Sequence, residues 1–213
     1  MRTLDWYFDF ISPYAYLQCA VFPAVPDGVE VRRRPVLLAA LLDRTGTPGP
    51  AEVPGRREFT YRQVLWLAER HGVPIRLPPR HPFNPLSVLR LAIALDASPN
   101  IVRRIFDFIW AEGRDPSDPS EFEALAQALK VPDARSLIAD PAVKARLRHN
   151  TEEAAAAGVW GVPTFVVDEL CFWGFDAGEM LLDHLARPSR FATGEYARIA
   201  SLPAIVRGKR GAP

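Results

Sequence analysis

Strand patterns lie near the two ends of this chain, while its long middle part has a helical pattern. Strand signals occur at Thr3–Phe10 and Val29–Arg34, and they return at Thr164–Val167 and Leu170–Trp173. Aromatic and β-branched residues, which favour strands, are frequent in these runs. The region over residues 45–155 instead carries apolar residues at helical spacing. This distribution predicts one small sheet, built from both ends of the chain and interrupted by a helical insertion.

Most helix starts share one local signal, a small polar residue followed directly by proline. Proline is favoured at the first helical position because the N–H that it lacks would have no partner there. The signal predicts helices that begin at Pro13, Pro85, Pro99, Pro119 and Pro141. A further helix is predicted over Arg56–His71, because Gly72 and Pro74 follow it. The last two strands form a predicted hairpin that turns at Asp168-Glu169, and a final helix is predicted over 176–186.

Size, composition and charge exclude several classes of protein. The chain has 213 residues, of which 48% are hydrophobic and 24% charged, as in a globular domain. A formal net charge of +1 gives no electrostatic reason to expect a nucleic-acid partner. The longest apolar run, Val36–Leu42, is far too short to cross a membrane, and the N-terminus lacks the pattern of a signal peptide. We therefore expect a cytoplasmic protein with neither nucleic acid nor a membrane as its partner.

The two cysteines, Cys19 and Cys171, lie far apart in the sequence and have no metal-like spacing. Neither a disulfide framework nor a metal site is expected from such a pattern. We predict that both are buried structural residues.

An aromatic strand runs directly into Ser12-Pro13, where a helix begins. The first turn of a helix offers unpaired N–H donors and the positive end of the helix dipole. An anion is stabilised at such a place, and the pKa of a thiol falls there. Ser12 is therefore a candidate for activating a thiol that a ligand delivers. The alternative is that Ser12 is an ordinary N-cap with no further role.

A second short motif, Gly161-Val162-Pro163-Thr164, comes just before the first late strand. The strand-to-helix junction at Ser12 and this later proline motif resemble the arrangement of thioredoxin-like redox proteins. Those proteins hold a Cys-x-x-Cys at the junction and a cis-proline beside it. At the junction this chain reads Ser12-Pro13-Tyr14-Ala15, so both thiols are missing and a disulfide oxidoreductase is disfavoured. A cis bond before Pro163 would leave the backbone of Val162 free to pair with an extended peptide.

Five motifs resemble those of one known family: Phe8–Tyr14, Pro50–Arg57, Phe83–Leu86, Gly158–Phe165 and Phe172–Asp176. They are similar to motifs of the 2-hydroxychromene-2-carboxylate isomerase family, the bacterial relatives of kappa-class glutathione transferases in the DsbA-like branch. The resemblance runs from about residue 3 to residue 186. It implies an α/β fold, a thioredoxin-like domain with a large all-helical insertion. The expected domains are 1–44 with 156–190 (thioredoxin-like), 45–155 (helical insertion) and 191–213 (irregular tail). Homodimers are usual among the relatives and are expected here.

The resemblance also implies that glutathione is the cofactor. Its expected site residues are Ser12, Arg56, Val162, Pro163, Phe175 and Asp176. Ser12 would be the catalytic residue and would hold the glutathione sulfur as a thiolate. The other residues would bind the glutathione backbone, its γ-glutamyl end and a carboxylate. One departure concerns Thr47, which stands in a loop where kappa-class relatives carry Asn, so a contact made there by an amide is altered or lost.

The implied reaction interconverts 2-hydroxychromene-2-carboxylate and trans-o-hydroxybenzylidenepyruvate, in aromatic degradation. The partner would be a small aromatic carboxylate that lies above Ser12. The aromatic-rich insertion and first helix suggest substrate contacts for Tyr14, Asn84 and Trp110, with Tyr16 and Trp66 as further candidates. Two alternatives remain open: a kappa-like glutathione transferase that conjugates electrophiles, and a redox-inactive thioredoxin-like module that binds peptides.

Overall fold

The computed structural model describes residues 1–203; residues 204–213 lie outside the described part. Four strands form one mixed sheet in the order β2-β1-β3-β4. Their bounds are β1 Arg2–Phe8, β2 Val29–Pro35, β3 Thr164–Val167 and β4 Leu170–Trp173. The first two strands are parallel, and β3 is antiparallel to both β1 and β4. The predicted fold class, an α/β thioredoxin-like domain with a helical insertion, is confirmed.

The helices are α1 Pro13–Ala20, α2 Leu38–Thr45, α3 Arg56–His71, α4 Leu86–Ala94, α5 Pro99–Phe106, α6 Pro119–Ala128, α7 Ala134–Ala139, α8 Pro141–Ala156, α9 Gly178–Ala186 and α10 Gly194–Arg198. The helix starts predicted for α1, α3, α4, α5, α6 and α8 hold to within one residue. Pro85 caps α4 instead of beginning it. A short 3₁₀ turn at Phe175–Ala177 precedes α9, so the last helix begins slightly later than predicted. Three helices, α2, α7 and α10, were not predicted from the sequence.

The two faces of β1 lie against different parts of the chain. Leu4, Trp6 and Phe8 alternate along the strand and point into the main hydrophobic cluster. Tyr7 points to the opposite face, into a smaller cluster that includes Leu41 of α2. The sheet is therefore covered on both sides at this strand, whose second half, Trp6, Tyr7 and Phe8, is hydrophobic at every position.

The helical insertion packs directly on the sheet through aromatic side chains. Phe106, at the end of α5, has its ring within 6.3 Å of four others, measured between centroids: Trp6, Phe8, Phe10 and Tyr16. One continuous hydrophobic cluster thus contains residues from β1, α1 and the insertion. Because this packing fixes the insertion against the end of β1, it also fixes it against the strand-to-helix junction.

Helix α8, the last helix of the predicted insertion, lies against the other side of the sheet. The Asn150 side chain donates to the carbonyl of Pro35 at 3.1 Å, and the Leu37 N–H donates to the Thr151 hydroxyl at 3.1 Å. These bonds join α8 to the end of β2 and to the start of α2. They place α2 and the loop that follows it beside the junction.

The segment after α9 differs from the predicted irregular tail. Short helical turns occupy Pro188–Ala192, Gly194–Arg198 and Ile199–Ser201. The ring of Phe191 packs against Phe172 and His184, and this contact anchors the segment to the sheet and α9. The prediction is therefore wrong for this part of 191–213, and residues 204–213 are outside the described residues. Within residues 1–203, no helix has both the length and the apolar character that a membrane span needs.

Candidate active site

Ser12 lies buried at the N-terminus of α1. Its Oγ accepts a hydrogen bond from the N–H of Ala15 at 3.2 Å, as the sequence predicts for an N-cap. The same hydroxyl donates to the carbonyl of Val162 at 3.4 Å. The residue is only 6% exposed, so its hydroxyl is shielded from bulk water. A group bound beside it would meet the first turn of α1.

The loop that faces Ser12 contains the predicted cis bond, between Val162 and Pro163. The Pro163 carbonyl accepts from the N–H of Gly174 at 2.9 Å, which ties the loop to the end of β4. The Val162 N–H makes no hydrogen bond within residues 1–203. This donor is available to the backbone of an extended ligand.

Ser12, Val162 and Pro163 lie on the wall of an open cavity of about 1670 Å³. One face of α3 forms a second wall, with residues three or four apart in the sequence. The lining residues of α3 include Arg56, Phe59, Thr60, Gln63, Trp66, Leu67 and Arg70. The loop after α2, which contains Thr47, and the turn before α9 form further parts of the wall. The cavity is therefore built from both the sheet region and the insertion.

The remaining residues of the expected glutathione site line the same cavity. Arg56 is the first residue of α3, and its exposed side chain forms no ion pair within the described part of the chain. Phe175 and Asp176 stand in the 3₁₀ turn that leads into α9. Asp176 is exposed, with an oxygen close above Gly174, where an added Cβ would lie 2.7 Å from it. The structure therefore brings all six of the expected glutathione residues to one cavity.

Tyr14, a predicted substrate contact, also lines the cavity. Its hydroxyl donates to Oε1 of Gln63 on α3 at 2.6 Å. Burial raises the pKa of Tyr14 above its ordinary value, and the negative charge of Asp176 acts in the same direction. Tyr14 is thus a neutral hydrogen-bonding group at neutral pH, placed two residues after Ser12 in the first turn of α1.

Known proteins share the fold of this chain. The family model for the DSBA-like thioredoxin domain matches residues 3–186. The chain belongs to this DsbA-like family. Among curated proteins, a 2-hydroxychromene-2-carboxylate isomerase of Sphingobium xenophagum is 29% identical over 192 residues, which are 86% of this chain and 98% of that protein. Glutathione S-transferase kappa 2 of Caenorhabditis elegans is 26% identical over 212 residues, 88% of this chain and 93% of that protein.

Solved structures show the same DsbA-like fold. The structure of a 2-hydroxychromene-2-carboxylate isomerase superimposes with a TM-score of 0.75 at 22% identity. The match covers 88% of this chain and 96% of that one. The curated relatives named here are enzymes, isomerases and glutathione transferases.

Trp110, predicted as a substrate contact, does not reach the cavity of this DsbA-like chain. It is completely buried, and its indole N–H donates to the carbonyl of Phe10 at 2.9 Å. Tyr16 is likewise buried, and its hydroxyl donates to the carbonyl of Pro74. Both residues are structural supports of the junction. The prediction that they contact a substrate is wrong, because aromatic residues near a site serve as often to hold its backbone.

Asn84, another predicted substrate contact, is also absent from the cavity wall among the described residues. Its Oδ1 accepts from the N–H of Leu86 at 3.0 Å, so it forms the turn that begins α4. Trp66, by contrast, lines the cavity and is 54% exposed. The structure thus retains Tyr14 and Trp66 from the predicted substrate contacts.

Two further tryptophans at the cavity rim were not predicted. Trp160 and Trp173 are 48% and 52% exposed, and their rings pack together with centroids 5.7 Å apart. A Cβ on Gly161 would lie 2.8 Å from Nε1 of Trp173, so this glycine makes room for the indole. Both tryptophans lie within the motifs that carry the family resemblance, and this position was the one sequence signal that could have identified them as site residues.

Asp9 is a buried carboxylate in the cavity wall, three residues before Ser12. Its oxygens accept from the N–H groups of Ile11 at 3.1 Å and Leu38 at 2.8 Å. Burial without a cationic partner raises its pKa to about 7. Asp9 therefore joins the junction to the start of α2, and it titrates near neutral pH.

Neither cysteine lies in the turn that joins β1 to α1 and ends at Ser12. Both are free and partly buried. Burial raises the pKa of Cys19 to about 12 and raises that of Cys171 above its ordinary value. Neither thiol is activated, in agreement with the predicted structural role.

Proposed function

We propose that this chain is a glutathione-dependent isomerase of the 2-hydroxychromene-2-carboxylate type. The observation that carries the proposal is the position of Ser12. Its hydroxyl stands at the helix start and faces the carbonyl of Val162, where a redox member of the family would hold a cysteine. A site that keeps this geometry without a thiol of its own is suited to a thiol that arrives on a ligand.

The residues around Ser12 fit glutathione chemically. The unbonded Val162 N–H suits the backbone of the glutathione cysteine. The Arg56 guanidinium suits a carboxylate, because it presents paired N–H donors and has no acidic partner within residues 1–203. Asp176 suits the ammonium of the γ-glutamyl end. The first turn of α9, directly after Asp176, suits its carboxylate.

Bound glutathione would supply a thiolate that adds reversibly to a conjugated double bond, which permits rotation about that bond. The chain's contribution is to favour the thiolate over the thiol. The Ser12 hydroxyl would turn from the Val162 carbonyl and donate to the sulfur, and the free N–H groups of α1 would add positive potential. Burial of Ser12 strengthens both effects, since little water competes there.

The second substrate would be a small aromatic carboxylate held in the same cavity. Its ring would pack against the exposed indoles of Trp66, Trp160 and Trp173. Arg70 and His71, which also line the cavity, are available for its carboxylate. A cytoplasmic location and a homodimeric assembly belong to the same proposal, and sedimentation of the purified chain tests the second of them.

The test is the isomerisation of 2-hydroxychromene-2-carboxylate, followed with and without glutathione. We expect activity only when glutathione is present, with the thiol recovered unchanged. S-methylglutathione, which cannot form a thiolate, is the matched control and is expected to inhibit. Equal rates with and without glutathione would disprove the mechanism.

A kappa-like glutathione transferase is the second candidate, since the chain is also 26% identical to a kappa-class transferase. The same thiolate would then be consumed. Product analysis separates the two functions: a stable glutathione adduct indicates a transferase, whereas recovered thiol indicates an isomerase. The third candidate, a redox-inactive peptide-binding module, is favoured by the free Val162 N–H. Calorimetry that detects peptide binding but no glutathione binding would support it.

A further inference from the structure

The turn that joins β1 to α1 and ends at Ser12, the reactive turn, is held by side chains from the helical insertion. The carbonyls of Phe10 and Ile11, the two residues before Ser12, each accept a bond from a distant side chain. Trp110 Nε1 donates to the first at 2.9 Å, and His81 Nε2 lies 2.8 Å from the second. Trp110 is buried behind the turn, but His81 lies on the cavity wall itself.

The contacts of His81 determine which ring nitrogen carries the proton. A carbonyl oxygen can only accept, so Nε2 must donate to Ile11. Nδ1 lies 2.8 Å from the hydroxyl of Tyr61, and in a neutral ring it accepts from that hydroxyl. Burial lowers the pKa of His81 below its ordinary value, and the nearby positive charge of Arg57 adds to this effect. The ring is therefore neutral at pH 7, with its proton on Nε2.

The imidazole is also fixed in position by its surroundings. Its ring packs edge-on to three aromatic rings, with centroid distances of 5.3 Å to Trp110, 5.7 Å to Tyr61 and 5.9 Å to Phe83. The guanidinium of Arg57 donates to the carbonyl of His81 at 3.1 Å. Ring and backbone are thus both restrained, which leaves Nε2 in a defined place beside the turn.

We propose that His81 is a positioning residue for Ser12, acting through the carbonyl of Ile11. The peptide bond that joins Ile11 to Ser12 is planar, so a bond that fixes its carbonyl also fixes its N–H. That N–H donates to the carbonyl of Asp9 at 3.1 Å. One hydrogen bond thus holds the carbonyl of this peptide plane and another holds its N–H. The orientation of the plane sets the direction in which the Ser12 side chain leaves the backbone. This inference rests on the proposed role of Ser12 toward a thiolate, and it adds the residue that holds Ser12 in place.

Two substitutions separate this role from simple packing. H81F keeps an aromatic ring among its three neighbours but removes both nitrogens. H81Q loses the ring but carries an amide N–H with a reach similar to that of Nε2. His149 is exposed on α8 and pairs with Glu153, away from the cavity, so H149F is the matched control.

The first measurement does not depend on the proposed function. Nuclear magnetic resonance of the labelled full chain reports the carbonyl carbon of Ile11 and the β-carbon of Ser12. We expect both resonances to move in H81F and to stay near their wild-type positions in H81Q and H149F. Unchanged resonances in H81F would overturn the proposal.

The second measurement is the pKa of the glutathione thiol in the complex, followed by the ultraviolet absorbance of its thiolate. We expect H81F to raise this pKa by about one unit, with H81Q close to wild type. Moved resonances together with an unchanged thiol pKa would also overturn the role of His81. If the wild-type protein binds no glutathione or leaves its thiol pKa unaltered, the proposed function fails, and the resonances alone decide whether His81 positions Ser12.

Discussion

The Ser12 hydroxyl and the Val162 carbonyl lie 3.4 Å apart although 150 positions separate them in the sequence. This contact joins the first turn of α1 to the loop with the cis-proline. Both residues line the cavity that the sheet region and the insertion form together. The polarity of this contact matters for the proposed function, because a hydroxyl there can stabilise a thiolate that it does not itself provide.

Arg56 is expected to bind a carboxylate of glutathione without affecting its sulfur. Replacing it with Gln should weaken glutathione binding about tenfold, or by about 1.4 kcal/mol. The pKa of the bound thiol should not change, since Arg56 is assigned to a carboxylate and not to the sulfur. Isothermal calorimetry measures the affinity. Arg62 lies on the same helix but outside the cavity wall, so R62Q is the control. Equal losses in both variants would refute the assignment.

Gly161 is expected to be necessary for the position of the rim tryptophans. G161A places a Cβ 2.8 Å from Nε1 of Trp173, which is too close for contact, so the indole must shift. We expect altered tryptophan fluorescence and a several-fold higher KM for the aromatic substrate, with kcat little changed. Gly178 lies on the same cavity wall, but a Cβ there meets no atom within 4 Å, so G178A is the control. A KM that G161A leaves unaltered would show that the indole pair does not bind the substrate.

Asp9 should make stability fall as the pH rises. Its pKa is about 7 in the folded protein against 3.8 ordinarily, so the native state holds this proton more tightly than the unfolded chain. The resulting stabilisation is complete below about pH 4, and it is lost as the pH rises to about 7. The whole change is at most about 4 kcal/mol.

The variant D9N isolates this contribution of Asp9. Asn loses one of the two backbone bonds, so its absolute stability is also lower, and only the pH dependence is compared. The free energy of unfolding, measured with urea across this pH range, should fall less steeply with pH for D9N than for the wild-type chain. An equal pH dependence of this free energy in the two proteins would mean that Asp9 is ionised throughout the range.

Trp110 should affect stability and not substrate binding. W110F removes the donor to the Phe10 carbonyl and leaves that buried oxygen without its partner. We expect a loss of about 1–3 kcal/mol in the free energy of unfolding, measured by urea denaturation. The KM for the aromatic substrate should stay at its wild-type value. A large rise in KM at unchanged stability would restore Trp110 as a substrate contact.

Local signals predicted much of the fold because they act over a few residues. Asp118 and Asp140 accept bonds from the N–H groups of the turns that follow them, as their sequence pattern indicates. The hairpin turns at Asp168 and Glu169, both with the positive φ of a tight hairpin turn. By contrast, α2 begins after Leu37 without any side-chain cap, and α7 has only six residues. Neither helix has a local start signal, so both were missed.

Non-local contacts explain the errors in the candidate site. Trp110 and Trp66 look alike in the sequence, but one is buried against the Phe10 carbonyl and the other lines the cavity. His81 contacts Ile11 across 70 positions, from a proline-rich segment without periodicity. The six glutathione residues that the family resemblance supplied all line the cavity. Asn84 also stands inside one of the family motifs, but it forms the turn that begins α4 instead. Residues outside those motifs had no equivalent signal.

The most direct test of the central claim is the pKa of the glutathione thiol bound to the wild-type protein and to S12A. Ultraviolet absorbance of the thiolate, titrated against pH in the complex, measures it. We expect a bound thiol pKa well below that of free glutathione in the wild-type protein. In S12A we expect a rise of about one to two units, because a single hydrogen bond to the anion is removed. Equal values in the two proteins would contradict the role of Ser12 and the function proposed for this site.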